Sequence, residues 1–286
     1  MNTDTLTTFL KLSEIRNYTQ TARQLFVAQS TVTNRIFELE NELGFPLFVR
    51  ERKNLTLTTE GEHFLEYARR ILDLERSAIQ ELSNLNHFTQ SLRIGSTNTI
   101  YECHLIQPLL AYQKTHPDIS ISVSIDHSMP LLQMLQDHIL DVVFTYVPHE
   151  KSPILSTAFV TDPLVLVTGW KNTDFAEGIH QSELIEMPYY YCDFPFQELG
   201  SFIKNLFPKG HPFPLTMDRS VNLLPFLLEG DGYSLLPQSL VAPYIRDKKL
   251  RTIATLDFTV PPVHGYVEYC KDTPAGNLIE DLTALL

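Results

Sequence analysis

Apolar positions recur with a helical period between Val27 and Leu43. Val32, Ile36, Leu39 and Leu43 fall at spacings of four, three and four, which predicts an amphipathic helix. At about 100° per residue, Ser30, Thr31, Asn34, Phe37 and Glu38 point away from that stripe. The outward face near the helix start is therefore small, polar and hydrogen-bonding, the character a helix needs to enter a DNA major groove. An ordinary surface helix shows the same periodicity, so the flanks decide. Upstream, Asn17 to Leu25 reads as a helix with Asn17 as N-cap and Gln20 completing a capping-box pattern. The connection Phe26-Val27-Ala28 is as short as a helix-turn-helix requires. An earlier helix, about Asp4 to Ser13, supplies Leu6, Phe9 and Leu10 to cover the pair. Downstream, Gly44 is placed to cap the helix C-terminus. Phe45–Val49 and Leu55–Leu57 then bracket Arg50-Glu51-Arg52-Lys53-Asn54, two short extended pieces around a basic tip, a wing suited to phosphates.

From Thr59 to about Phe88 the chain has no Pro and one Gly. Leu65, Ala68, Leu72, Ile79 and Leu82 fall on a heptad seam with Glu75 as its polar break. A helix of this length spans roughly 45 Å, and its apolar seam predicts pairing with a second copy; the alternative is packing along its own domain. Past Ser91 the pattern changes. Short apolar runs at Leu92–Gly95, Ile119–Ile125, Val142–Tyr146, Leu164–Thr168, Tyr189–Cys192, Pro214–Met217, Tyr233–Pro237 and Val263–Tyr269 alternate with helical stretches. The helices fall at Ile100–Thr115, Leu131–Asp137, Glu198–Phe207, Val221–Leu228 and Ala275–Leu286. Strands alternating with helices predict parallel sheet covered on both faces, here in two similar architectural halves without sequence repeat.

The ordered pattern Phe9-Leu10, Asn17-Tyr18-Thr19-Gln20-Thr21-Ala22, Leu25, Val27, Gln29-Ser30, Ile36, Leu39-Glu40, Glu42-Leu43-Gly44, Pro46-Leu47-Phe48, Arg50 and Leu57-Thr58-Thr59-Glu60-Gly61 resembles the LysR-type transcriptional regulators. The likeness extends more loosely over all 286 residues. It implies a winged helix-turn-helix, mostly α with a small β wing, over residues 1–58; a dimerising linker helix over 59–89; and an α/β bilobed, periplasmic-binding-protein-like effector domain over 90–286. Lobe I is expected at about 90–166 and 267–286, lobe II at about 167–266. Two departures stand out. Ala28 replaces the usual Ser, and Ser30 the usual Pro. Ala caps poorly, which points to Ser30 as the residue that opens the recognition helix.

Composition narrows the class. At 43% hydrophobic and 20% charged, the chain is of ordinary soluble type. No stretch approaches the roughly 20 apolar residues of a membrane helix, and the polar start MNTDTLTT carries no signal pattern, so the cytoplasm is the expected compartment. The net charge of -12 argues against a nucleic-acid partner only until its distribution is read. Residues 1–58 hold seven Lys or Arg against six Asp or Glu, a net of +1. Cations this few predict that tight DNA binding needs at least two copies.

The resemblance and the helix pattern together set the expected contacts. Gln29, Ser30, Thr31, Thr33 and Asn34 are expected at base edges. Thr19 of the preceding helix is expected at DNA as well, and Arg35, Arg50, Arg52 and Lys53 at phosphates. The resemblance implies double-stranded DNA with an interrupted dyad, a dimer or tetramer, RNA polymerase and a small metabolite as partners.

In open α/β sheets ligands sit beyond the carboxyl ends of strands. That rule selects Ser96-Thr97-Asn98-Thr99, His127-Ser128 and Thr145-Tyr146 on one side and Phe194-Pro195-Phe196 on the other, a mixture suited to a small polar or anionic effector against aromatic walls, with Phe194 the site candidate of the second segment. Simple helix capping is the competing reading for Ser96–Thr99.

Catalytic signatures such as G-x-S-x-G, H-E-x-x-H and the P-loop are missing, and Cys103-His104 alone is no metal site. The expectation is therefore a binding protein without enzymatic activity, metal or cofactor. Two other readings are a cytoplasmic small-molecule-binding protein with an adventitious helical N-terminus, and a redox-responsive regulator using Cys192.

Overall fold

The computed structural model describes residues 1–51, 54–84, 87–149, 151–192 and 197–286, with backbone alone for residues 50, 51 and 197–200. It forms two compact units, Met1–Asn86 and His87–Leu286.

The first unit runs α1 (Thr3–Ile15), α2 (Tyr18–Gln24), α3 (Gln29–Leu43), β1 (Phe48–Glu51), β2 (Asn54–Leu57) and α4 (Thr59–Asn84). Each boundary has a local cause. The Asn17 side chain accepts from the Gln20 N–H at 3.0 Å and opens α2. The turn into α3 passes through Phe26 at φ 55, a left-handed residue almost fully exposed. Gly44, at φ 80, closes α3. The Thr58 hydroxyl accepts from Gly61 N–H at 2.9 Å and so caps α4, while it donates to the Pro46 carbonyl at 2.7 Å. A side chain at Gly61 would collide with the Leu47 carbonyl oxygen, which accounts for glycine there. The wing is an antiparallel hairpin with Phe48 opposite Leu57. Leu6, Phe9, Leu12, Ile36, Leu39, Leu47 and Leu55 pack with Ala68 and Leu72 of α4 into one core, each large side chain contributing about 1.5–3 kcal/mol.

Two expectations need correction here. Ala28, not Ser30, is the N-cap of α3; it makes no side-chain cap bond, and Ser30 sits inside the first turn. The helix tolerates a poor cap because α1 and α2 hold its buried face. The α4 seam also divides. Ala68 and Leu72 are buried in this unit's own core and Leu65 packs against it. Ile79 and Leu82 remain 59% and 65% exposed, with Tyr67 and Leu74 exposed as well.

The second unit begins with β3 (Gln90–Ser96), α5 (Asn98–Ile100), a π-helical turn (Tyr101–Leu105), α6 (Ile106–Thr115), β4 (Ile119–Ile125), α7 (Ser128–Gln136), β5 (Val142–Thr145) and β6 (Ile154–Asp162). It continues with β7 (Leu164–Gly169), α8 (Gln181–Leu184), β8 (Tyr190–Cys192), α9 (Gln197–Leu206), β9 (Leu215–Met217) and a 3-10 turn (Ser220–Leu223). Then come α10 (Leu224–Glu229), β10 (Ser234–Pro237), α11 (Gln238–Arg246), β11 (Leu250–Ile253), β12 (Val263–Cys270) and α12 (Gly276–Thr283).

One sheet has the order β4-β3-β5-β12-β6, another β10-β7-β11, and β8 pairs with β9 beside it through a bridge between Tyr189 and Tyr233. The wholly parallel expectation is corrected. β4-β3-β5 and β8-β9 are parallel, but β12 runs antiparallel to β5 and β6, and β7 antiparallel to β10 and β11. The reason is topological. The chain leaves the first lobe through β6, passes Pro163 into β7, and returns through β12, so the crossing strands cannot all share one direction. Each lobe has its own core, one around Val167, Leu227 and Leu235 and one around Ile94, Phe144 and Ile279.

Candidate functional site

Two polar surfaces follow from this frame, one in each unit. On α3, Val32, Ile36 and Leu39 face inward, so the opposite side is exposed by the same 3.6-residue period that built the core. Gln29, Ser30, Thr33 and Asn34 are exposed and Thr31 is half-buried. Ser30 and Asn34 have no side-chain hydrogen bond among the described residues. Gln29 is held from α2, its Oε1 accepting from Thr19 Oγ1 at 3.0 Å, which fixes the α2–α3 angle and leaves its amide N–H groups free. Thr33 donates back to the Gln29 carbonyl at 3.1 Å.

Arg35 departs from its expected role. Its guanidinium donates to Asp4 Oδ2 and, at 3.1 Å, to Thr8 Oγ1, both on α1. It ties α1 to α3 rather than standing free for a phosphate. Arg52, Lys53 and Phe194 lie outside the described residues, as does the side chain of Arg50.

In the second unit, Thr97, Asn98, Thr99, His127 and Ser128 line one cleft, which holds about 420 Å³ of space open to solvent. All come from β3→α5 and β4→α7 connections, the carboxyl ends of adjacent parallel strands. Ser96 and Thr145 do not line it. Both are fully buried, Ser96 donating to the Thr97 carbonyl at 3.0 Å and Thr145 lying 2.8 Å from Glu268 Oε2. Glu268 is itself buried on β12 and also accepts from His149 N–H at 2.7 Å and Ser156 Oγ at 3.0 Å. Burial raises its carboxyl above the usual range, and these three donors offset the shift only in part.

The opposite wall is Asp218, Arg219 and Ser220, following β9, with Cys192 at the end of β8 and Tyr146 and Asp126 beside the first lobe's loops. The carboxyl-end rule applied to Pro214–Met217 would have found the first three. Contacts between described residues join the walls, Thr99 Oγ1 to Ser220 Oγ at 2.7 Å and His127 Nε2 to Asp218 Oδ2 at 3.8 Å among them. Thr97 Oγ1 is buried without a hydrogen-bond partner.

The three cysteines are free. Cys103 and Cys192 both lie near Tyr146, but burial pushes the Cys103 thiol up to about 11, the reverse of what a reactive thiolate needs. Among the described residues no cluster of metal-binding side chains occurs, and no helix is long and apolar enough to cross a membrane.

Comparison with known proteins accords with this geometry. The family model for the bacterial regulatory helix-turn-helix protein, lysR family, matches residues 3–62, and that for the LysR substrate binding domain matches residues 86–286. The chain belongs to the LysR-type transcriptional regulator family. It is similar to the HTH-type transcriptional regulator HdfR of Escherichia fergusonii, 34% identical over 148 residues. That match covers 51% of this chain and 53% of that protein, so the chain spans about half the length of the curated relative it matches.

Its fold is similar to that of CbnR, described as a LysR family transcriptional regulator, with a TM-score of 0.70 and 21% identity over 100% of this chain and 99% of that one. Full-length CbnR complexed with its target DNA gives a TM-score of 0.66 at 21% identity, covering 100% of both chains.

Proposed function

We propose that this chain is a sequence-specific DNA-binding regulator of transcription whose output is set by a small effector in the cleft of its second unit. The observation that carries the reading is the outward face of α3, where Ser30 and Asn34 are exposed and, among the described residues, unbonded, within a helix-turn-helix held by its own core. Side chains in that state are available to base edges. Membership of the family and the similarity to CbnR, solved with its target DNA, support it. The exposed residues Tyr67, Leu74, Ile79 and Leu82 of α4 present apolar surface to a second copy, and two copies supply the phosphate contacts that one lacks. The same reading takes in an interrupted dyad operator, a dimer of dimers, contact with RNA polymerase and action in the cytoplasm by binding rather than catalysis.

The test is a gel-shift titration of the full-length protein on DNA upstream of its own gene. The expected result is binding at one site that weakens steeply with salt and changes its base preference in Asn34→Ala. Absence of binding at low salt, with and without metabolites, would leave the alternative of a small-molecule-binding protein.

A further inference from the structure

The cleft carries opposite charges on opposite walls, and neither meets a counter-charge among the described residues. Arg219, half-buried on the second lobe's wall, has no hydrogen bond or ion pair for its guanidinium among the described residues. Asp126, half-buried on the first lobe's wall, receives one bond, from the His127 backbone N–H to Oδ1 at 2.7 Å. Half-buried charges that face a cleft without a counter-charge are ready to pair with a ligand that brings one. Asp218 differs: it is largely exposed and already faces His127. Thr97 adds its buried, unpartnered Oγ1 to the lining.

A plain anion would satisfy Arg219 but leave Asp126 unmatched and repelling it. A plain amine would do the opposite. We propose that the effector is a zwitterion of the α-amino-acid class, its carboxylate paired with Arg219 and its ammonium with Asp126. This deepens the effector reading of the cleft and rests on it.

The arrangement also supplies a coupling mechanism. Asp126 follows β4 in one lobe and Arg219 follows β9 in the other. A ligand carrying both charges bridges the lobes, whereas a ligand with one charge grips a single wall. Only the bridging ligand has much greater affinity for the closed arrangement than for the open one, and differential affinity is the condition for shifting that equilibrium.

Calorimetry and thermal-shift measurements on the full-length protein test the idea with the standard α-amino acids. Each that binds is compared with the acid lacking its amino group and the amine lacking its carboxylate. The expected result is an amino acid that binds about tenfold or more tighter than either analogue. Arg219→Gln should then weaken the amino acid and the acid but not the amine, and Asp126→Asn the amino acid and the amine but not the acid. The wild-type comparison of analogues needs no variant to fold.

An acid that binds as well as its amino acid, unaffected by Asp126→Asn, overturns the proposal while leaving the cleft an effector site. So does an amine that binds as well, unaffected by Arg219→Gln. If no amino acid binds at millimolar concentration, the proposal fails. If no acid or amine binds either, the effector reading fails with it.

Discussion

On α3 the side chains of Ser30 and Asn34 are exposed and unbonded among the described residues, whereas at the strand ends of the second unit Ser96, Thr99 and Thr145 are buried and already hydrogen-bonded. Both sets were singled out by residue type and position. The difference shows what residue type leaves open. A side chain on the outer face of an amphipathic helix has at most its own preceding turn to bond, as Thr33 bonds the Gln29 carbonyl, because the core lies on the other side. A hydroxyl at the carboxyl end of a buried strand is surrounded by orphan backbone and carboxylate groups, and those compete with any ligand for it. In the cleft, the groups left for a ligand are those whose charge or hydrogen-bonding capacity is unmet among the described residues: Arg219, Asp126 beyond its one N–H donor, and the Thr97 hydroxyl.

The sharpest way to break that comparison is Thr145→Val. The shapes match, but the buried carboxylate of Glu268 loses one of three donors. The expected cost is about 1.5–3 kcal/mol in the unfolding free energy of the second unit, read by chemical denaturation, with no change in ligand affinity. A variant of normal stability that no longer binds ligand would return Thr145 to the effector site.

Asn34→Ala probes the other surface and should give the reverse signature. Stability should stay within about 0.5 kcal/mol of the parent, while discrimination at one operator base pair falls by about 1–3 kcal/mol in competition binding. A loss of stability without a change in base preference would mean that the face of α3 serves the fold.

How far each surface could be read from sequence follows the same division. The helices of the first unit were legible because capping residues and period-3.6 stripes are local: Asn17, Gly44 and Val32-Ile36-Leu39 each act within a few residues. The partner of Arg35 was not, since Asp4 lies 31 positions away and nothing local marks the pair. Nor was the division of the α4 seam, because a heptad does not say which chain fills it.

In the second unit the strands β3, β4 and β5 were clear as apolar runs. β6 was missed because it is an edge strand with several exposed positions, and α11 because Pro243 lies inside it. The far wall of the cleft was missed for a different reason. Asp218-Arg219-Ser220 follow Pro214–Met217, a run legible as a strand, but nothing local marks its end as facing Thr99 and His127, which lie about a hundred positions away.

A finer test uses pH. The folded-state carboxyl of Glu268 is raised above its ordinary value of 4.5, chiefly by burial. Between the two values the folded state holds more protons than the unfolded one, so the stability of the second unit should fall as pH rises through that window and level off above it. Glu268→Gln should abolish this decline in denaturation curves collected across the acid range. A decline that persists in the variant would assign it to another group.

The smallest expected effect comes from Arg35, and it decides whether that residue belongs to the fold or to the DNA surface. Its side chain is 24% exposed while that of Asp4 is 74% exposed, so solvent screens the pair. Arg35→Ala should lower the stability of the first unit by only about 0.5–1 kcal/mol. Stability alone cannot separate the two roles, since a cation lost from either would cost little. The salt dependence of operator binding can. Each phosphate neutralised contributes about 0.9 to the slope of log affinity against log salt. With Arg35 engaged by Asp4 and Thr8, the slope should be unchanged in the alanine variant and unchanged again in Asp4→Asn. A slope reduced by about one unit per bound copy in Arg35→Ala alone would mean that the side chain leaves α1 for a phosphate on binding. Arg35 would then join the side chains that the fold leaves free for a ligand.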